Sequence, residues 1–422
     1  MISFCNCFGI IKKGKNERAK QSVKKIFSRG LLRGETEDDF SYSGEFTSNT
    51  TSGDESDSQP RANRSEEILN LRAEKDMACR RVPVKETNKL VREEVIHNCV
   101  DSFLFSFFFY VNCFILIILS FQDEDGNKMI NEYVREYRIG SGSYGKVVLY
   151  RSIVDGKHYA IKSFHKSHLL KLRVAGSETA MSDVLREVLI MKMVEHPNIV
   201  NLIEVIDDPE SDCFYMVLEY VEGKWFCEGS GRGCALVEDT VRKYLRDIVS
   251  GLRYLHDHNI IHLDIKPDNL LITREGKVKI GDFSVSQAFE DNNDILYRSP
   301  GTPVFSAPEC CVGGTYHGKA SDTWAVGVTL YCMIMGEYPF LGKTLPDTYE
   351  KIVNNPLVLP DDINPQLKNL IEGLLCKDPK ARMTLNEVAE HSWVIGDDGP
   401  ISEYLCWCKQ KRLVVEQEQH HP

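Results

Sequence analysis

Asp264, Asn269 and Asp282 have the side chains and spacing that suit phosphoryl transfer with a metal ion. They lie in His262-Leu263-Asp264-Ile265-Lys266-Pro267-Asp268-Asn269 and, after an apolar run, in Asp282-Phe283-Ser284. A turn and a neighbouring strand end can bring the three onto one phosphate. Asp264 would then accept the proton of an attacking hydroxyl, and Asn269 and Asp282 offer the hard oxygen ligands that Mg2+ takes. Moving the terminal phosphoryl of ATP asks the protein for positioning and charge neutralisation rather than covalent chemistry. Pro-Asp-Asn strings also make ordinary turns, so the reading needs partner motifs.

The elements that must position these groups lie upstream. Tyr133 to Ile139 reads as a strand, after which Gly140-Ser141-Gly142-Ser143-Tyr144-Gly145-Lys146-Val147 turns back into a second strand. Glycines between two strands let backbone N–H groups approach phosphates, and no helix opens after the third glycine, which argues against a dinucleotide fold. After the Asp155-Gly156 turn, Tyr159-Ala160-Ile161-Lys162 is a strand ending in a lysine placed for the α- and β-phosphates. Glu187, in a helix expected over 183–195, is its candidate counter-charge. Phe214 to Tyr220 reads as a strand with Leu218 at the back of an adenine pocket and the backbone of Glu219 to Val221 facing the base. The nucleotide set is thus Ile139 through Val147, Ala160, Lys162, Leu218, Glu219 and Val221. The basic and apolar insert 164–181 reads as a surface loop, a substrate dock or a phosphorylated segment, and Gly229 to Gly233 as a flexible excursion.

Val237 to His256 has helical periodicity and carries the turn at Asp264. The ordered series of glycine loop, strand lysine, helix glutamate, H-x-D-x-K-x-x-N and D-F-x resembles the eukaryotic protein kinase family, from about Tyr133 to Trp393. Ala307-Pro308-Glu309, Asp322-x-Trp324-Ala325-x-Gly327 and Asp378-Pro379-x-x-Arg382 extend the likeness. The resemblance implies an α+β, bilobal kinase fold over 133–394, with a small antiparallel sheet in one lobe and a larger helical lobe. It implies that Arg382 pairs with Glu309. Lys266 and Gly301-Thr302-Pro303 are similar to the serine/threonine branch, where Lys266 would neutralise the moving phosphoryl and Thr302 would brace Asp264 and Lys266. GTPVFSAPE and YHGKASDTWAVGVTLYCM resemble calcium/calmodulin-dependent kinase kinases and, most closely, the plant geminivirus Rep-interacting kinases. That likeness implies protein substrates of the energy-sensing kinase class, phosphorylated on their activation loops in plant energy and stress signalling, and a viral replication protein as a partner. Two residues depart from the family pattern. Leu263 replaces the arginine that receives an activation-loop phosphate, and Ser284 replaces a glycine after Asp282-Phe283.

The net charge of −11 over 422 residues argues against nonspecific nucleic-acid binding. Fourteen cysteines show no zinc-ligand spacing and suggest reduced thiols in the cytosol or nucleus. Cys5 and Cys7 before a basic run suit either acylation or a mobile tail. Gly34 to Ser65 is too polar to fold, so 1–94 is expected to be mostly disordered, with a short helix near 65–81. The uncharged run 102–121 is long enough to span a bilayer. Yet it is Phe-rich and broken by Asn112, and without 95–122 Glu93-Glu94 would join Asp123-Glu124-Asp125. A valine codon opens with GT and one glutamine codon closes with AG, so the first reading is a retained intron and the second a membrane span. The tail 395–422, with Cys406-Trp407-Cys408 and a basic cluster, reads as a solvated end or a partner signal.

Overall fold

The computed structural model describes residues 61–74, 79–90, 128–142, 144–175, 178–224, 235–297 and 301–411. Cys5, Cys7, the polar stretch up to residue 60, the block 95–122, Ser143, Ser177, Gly229 to Gly233 and the chain beyond 411 lie outside them.

The smaller lobe is a sheet of seven strands: β1 (Lys85–Thr87), β2 (Met129–Ile130), β3 (Tyr133–Ser141), β4 (Lys146–Ser152), β5 (His158–His165), β6 (Leu202–Asp207) and β7 (Cys213–Glu219), in the order β1-β6-β7-β5-β4-β3-β2. The pairings are antiparallel except that β1 runs parallel to β6, with Lys85 opposite Glu204. The expected antiparallel sheet is thus present, with one short parallel strand added at its edge. A three-residue strand is too short to show alternation, and its pairing comes from Glu204, which accepts from Lys85, Thr87 and Tyr133. Ile161, Ile206 and Val217 form an outer apolar layer with Leu90 and Ile130, and the opposite face packs Phe164 and Met216 into the main core.

The segment after β5 is ordered structure rather than a plain surface loop. A helix, Lys166–Lys171, buries Leu169 completely, and the strands Arg173–Ala175 and Glu178–Thr179 form a hairpin leading into a helix, Ala180–Met193. That helix starts three residues before the expected 183.

The N-terminal segment also differs from its expectation. Its helix α1 covers Arg61–Glu74, not 65–81, and it docks on the domain. Ile68 and Leu69 are buried in the main core, the Ser65 hydroxyl accepts from the Ala288 N–H at 2.8 Å, and the Arg72 guanidinium donates to the His258 and Phe289 carbonyls. Below it, Arg80 caps the carbonyls of Met191, Val194 and Leu202.

The larger lobe is built on a helix, Glu238–Asp257, whose Val241, Leu245, Ile248, Leu252 and Leu255 lie on one face and are fully buried, as periodicity foretells. A second long helix, Gly318–Met335, is nearly all buried and ends at Gly336, whose φ of 69° closes it in the left-handed conformation. A Cβ on Gly327 would come within 2.8 Å of Leu374 Cβ, so glycine lets the helix Pro365–Leu374 lie against it. A hairpin of Leu270–Ile272 and Val278–Ile280 carries Asn269 at its entrance and Asp282 just past its exit.

Candidate active site

Lys162 leaves β5 with its ammonium 2.8 and 2.9 Å from the two Glu187 carboxylate oxygens and 3.4 Å from Asp282 Oδ1. Lys162 and Glu187 are 5% and 2% exposed, so the pair is screened from water and holds the helix Ala180–Met193 to the sheet. Burial opposes the lysine charge, but the carboxylates of Glu187 and Asp282 overcome it and raise the Lys162 pKa above the usual lysine range. Burial would likewise raise the Asp282 carboxyl. Lys162, the Ser284 hydroxyl and Lys266 outweigh that effect and hold it down at about 2. Asp282 is therefore an anion at neutral pH, with Ser284, where the family has glycine, among the groups that favour the charge.

The second group forms around Asp264. Its Oδ1 accepts from the Thr302 N–H at 3.1 Å and hydroxyl at 2.9 Å, and its Oδ2 from Asn269 Nδ2 at 2.9 Å and Lys266 Nζ at 2.7 Å. Lys266 Nζ also donates to Thr302 Oγ at 2.7 Å. Because Asn269 turns its amide nitrogen toward Asp264, its Oδ1 is left facing away and suits a hard cation. The Gly281 N–H to Asn269 carbonyl bond of 2.8 Å ties the turn Pro267–Asn269 to the backbone before Asp282. The two candidate metal ligands are thereby held on adjoining backbone.

Two residues here adopt left-handed backbone without being glycine, Leu263 at φ 67° and Asp282 at φ 58°. Each costs roughly 1–2 kcal/mol and must be held by its surroundings. Asp322 holds the first, its carboxylate accepting from the His262 and Leu263 N–H groups at 2.9 and 2.8 Å. His262 holds the second side. It is fully buried, packs edge-on against Phe283 and lies 3.1 Å from the Gly281 carbonyl.

At the other face of the cleft, Gly142 N–H bonds the Gly145 carbonyl at 2.9 Å and closes the β3–β4 turn. A Cβ on Gly145 would meet the Ser163 carbonyl at 2.3 Å, so only glycine lets the turn lie this close to β5. Tyr144 OH donates to Asp183 at 2.8 Å and ties the turn to the helix that carries Glu187. Ile139, Gly140, Ser141, Lys146, Val147 and Ala160 lie along β3 to β5 beside it, and Ser143 is outside the described residues. Leu218 pairs with Ala160 across β7 and β5. The Glu219 N–H is donated to the Asn201 carbonyl at 2.9 Å, and its carboxylate pairs with Lys279, so the base cannot use that N–H.

A protein kinase domain model matches residues 133–394. The chain belongs to the protein kinase family. Kinases of this family use ATP with Mg2+. This kinase is 59% identical to the serine/threonine-protein kinase GRIK1 of Arabidopsis thaliana, over 98% of this chain and 97% of the relative. It is 66% identical to the Arabidopsis serine/threonine-protein kinase GRIK2 over 83% and 80% of the two chains. A calcium/calmodulin-dependent protein kinase kinase of Caenorhabditis elegans is 39% identical over 66% of this chain and 55% of its own. The molecule is a serine/threonine protein kinase, and its lobes are those of the family. Glu309 and Arg382 meet as implied, with a bidentate pair at 2.6 and 2.8 Å. Cys310 and Cys311 form no disulfide. Among the described residues no helix is long and apolar enough to cross a membrane.

Motif spacing located Asp322 but not its grip on the turn, which is made to backbone N–H groups and leaves no trace in side-chain chemistry. Ser65 was read only as a helix start, and Arg72 and Arg80 were missed altogether. Each acts on main-chain groups far away in sequence.

Proposed function

We propose that this kinase transfers the ATP γ-phosphoryl group to a hydroxyl on the activation loop of another kinase, of the AMP-activated or SNF1-related energy-sensing class. The observation that carries the catalytic part is the meeting of Lys162, Glu187 and Asp282 in one ion cluster, beside the Asp264, Lys266, Asn269 and Thr302 network. In this reading Lys162 holds the α- and β-phosphates and Glu187 holds Lys162. Asn269 Oδ1 and Asp282 hold Mg2+, which neutralises phosphate charge when bound. Asp264 orients the substrate hydroxyl and takes its proton. Lys266 faces the moving phosphoryl, and Thr302 keeps Asp264 and Lys266 in register while lining the groove. The finer substrate class rests on likeness to the two Arabidopsis kinases and the kinase kinase, and the resemblance to geminivirus Rep-interacting kinases implies a viral replication protein as a further partner.

The test is to incubate the full chain with ATP, Mg2+ and a catalytically dead energy-sensing kinase, then map which residue gains phosphate. Phosphate on the activation-loop threonine, lost with Lys162→Ala and Asp264→Ala, is the expected result. Turnover on a generic peptide without that phosphothreonine would reject the substrate class. No turnover on any substrate would reject the enzyme in favour of a nucleotide-binding scaffold.

A further inference from the structure

Away from the nucleotide cleft, four side chains from three distant parts of the chain converge. They are Cys79 of the N-terminal segment, His258 just past the helix Glu238–Asp257, and Cys406 and Cys408 of the C-terminal stretch. Their three sulfurs and one ring nitrogen all lie within 4.8 Å of one another, and Cys79 and Cys406 are buried. We propose that these residues form a Cys3His site for a zinc ion.

The donor set is the one structural zinc takes, three soft thiolates and an imidazole. The histidine is oriented for the task. Its Nδ1 is 2.6 Å from the Tyr254 carbonyl, and only a protonated Nδ1 can donate there, so the Nε2 lone pair points at the sulfurs. Nε2 lies 3.4 Å from Cys408 Sγ and 3.5 Å from Cys406 Sγ. A tetrahedron with Zn–S of about 2.3 Å and Zn–N of about 2.0 Å has edges of about 3.5 to 3.8 Å, so both nitrogen–sulfur edges fit. Cys406 and Cys408 Sγ are 2.8 Å apart, too far for a disulfide bond of about 2.05 Å, and a central ion would spread them. Binding releases the three thiol protons and leaves a site of net charge −1. Arg72, whose Nη1 donates to the His258 carbonyl at 3.2 Å, and Lys409 stand beside His258 to offset it.

The site also has a mechanical setting. Cys79 N–H bonds the Met193 carbonyl at 2.9 Å, at the end of the helix that carries Glu187. Metal at this point staples the N-terminal and C-terminal segments that carry these cysteines to that helix end and to the larger lobe. The earlier finding of no zinc-ligand spacing is explained, since only Cys406 and Cys408 are close in sequence.

The full chain, expressed with zinc in the medium and purified under reductant without chelator, should carry about one zinc per molecule by elemental mass spectrometry. Cys406→Ser with Cys408→Ser, and His258→Gln, should each lower that content at least about tenfold, while Cys213→Ser should not. Full chain stripped by chelator and titrated with Co2+ should develop the visible absorption of a tetrahedral cobalt thiolate. Reduced wild-type protein that holds no zinc and gives no such absorption would overturn the proposal, as would variants that fold and keep their full metal content. A Cys406–Cys408 disulfide in metal-free protein would overturn it too. Should the variants not fold, the wild-type zinc content and cobalt spectrum decide alone.

Discussion

Leu263 occupies the place from which most kinases of this family extend an arginine toward a phosphorylated activation loop. An aliphatic side chain offers a phosphate nothing to grip, and here the turn is held from behind by Asp322 instead. Phosphatase treatment of the purified kinase is therefore expected to leave kcat unchanged. Thr302→Ala acts differently, because it removes the hydroxyl that bridges Asp264 and Lys266. Losing hydrogen bonds to charged groups worth about 1.5–3 kcal/mol should lower kcat roughly 10- to 100-fold, with Thr302→Ser near wild type. Steady-state kinetics separate the two cases. Asp264→Asn should cut kcat by about 10² to 10⁴ with little change in KM for ATP. A different histidine sets an acid limit on stability. Burial, with Lys279 and His258 nearby, holds His196 down at about 4, and its Nδ1 already accepts from the Asn198 N–H. The unfolded chain takes up the proton first, so stability is complete above about pH 6.5 and declines by up to about 3 kcal/mol as pH falls to about 4. Urea midpoints across that window should show the decline, and His196→Asn should flatten it. The side chains that meet in the candidate site were legible in the sequence, because the chemistry proposed for them constrains both residue type and spacing. The grip of Asp322 and the buried state of His196 were not, since each depends on which backbone happens to pass nearby.

Elements with strong periodicity were equally plain. The helix Glu238–Asp257 shows a complete apolar stripe, whereas the strands around the glycine turn show no regular alternation and were read from the glycines between them. Helix α1 was harder, because Ile68 and Leu69 form a short apolar patch on an otherwise polar helix, and such a patch cannot say what it will meet. It meets the core beside the helix Ala180–Met193, and the N-terminal anchoring is then completed by Arg72 and Arg80 on carbonyls. Leu69→Ala should cost about 2–5 kcal/mol by the cavity it leaves, whereas Leu71→Ala, at a side chain 42% exposed, should change stability by less than about 0.5 kcal/mol. Equilibrium denaturation of the two variants tests whether α1 is part of the cooperative unit. Of the readings of the insert after β5 the plain surface loop fails, because Leu169 is fully buried while its neighbour Leu170 is 58% exposed, and the sequence does not say which of the two meets the neighbouring helix.

On the scale of the molecule, Leu90 and Ile130 belong to the same apolar layer on the outer face of the sheet. The chain therefore leaves that layer before the block 95–122 and returns to it afterwards, as an insertion into a finished surface would. We read the block as translated intron, and expect its deletion to leave kcat and the unfolding midpoint where they were. Transcript sequencing checks the origin, and a dominant message retaining the block in membrane-bound protein would count against it. Segments on both sides of the kinase domain pack against it. The region recognisable by motif, 133–394, is smaller than the piece that must be made in the test tube. Cutting there discards Leu69, Cys79 and Leu90 from one side and Cys406 from the other, uncovering greasy ground on both lobes. Such a trimmed clone should precipitate where the longer one stays in solution.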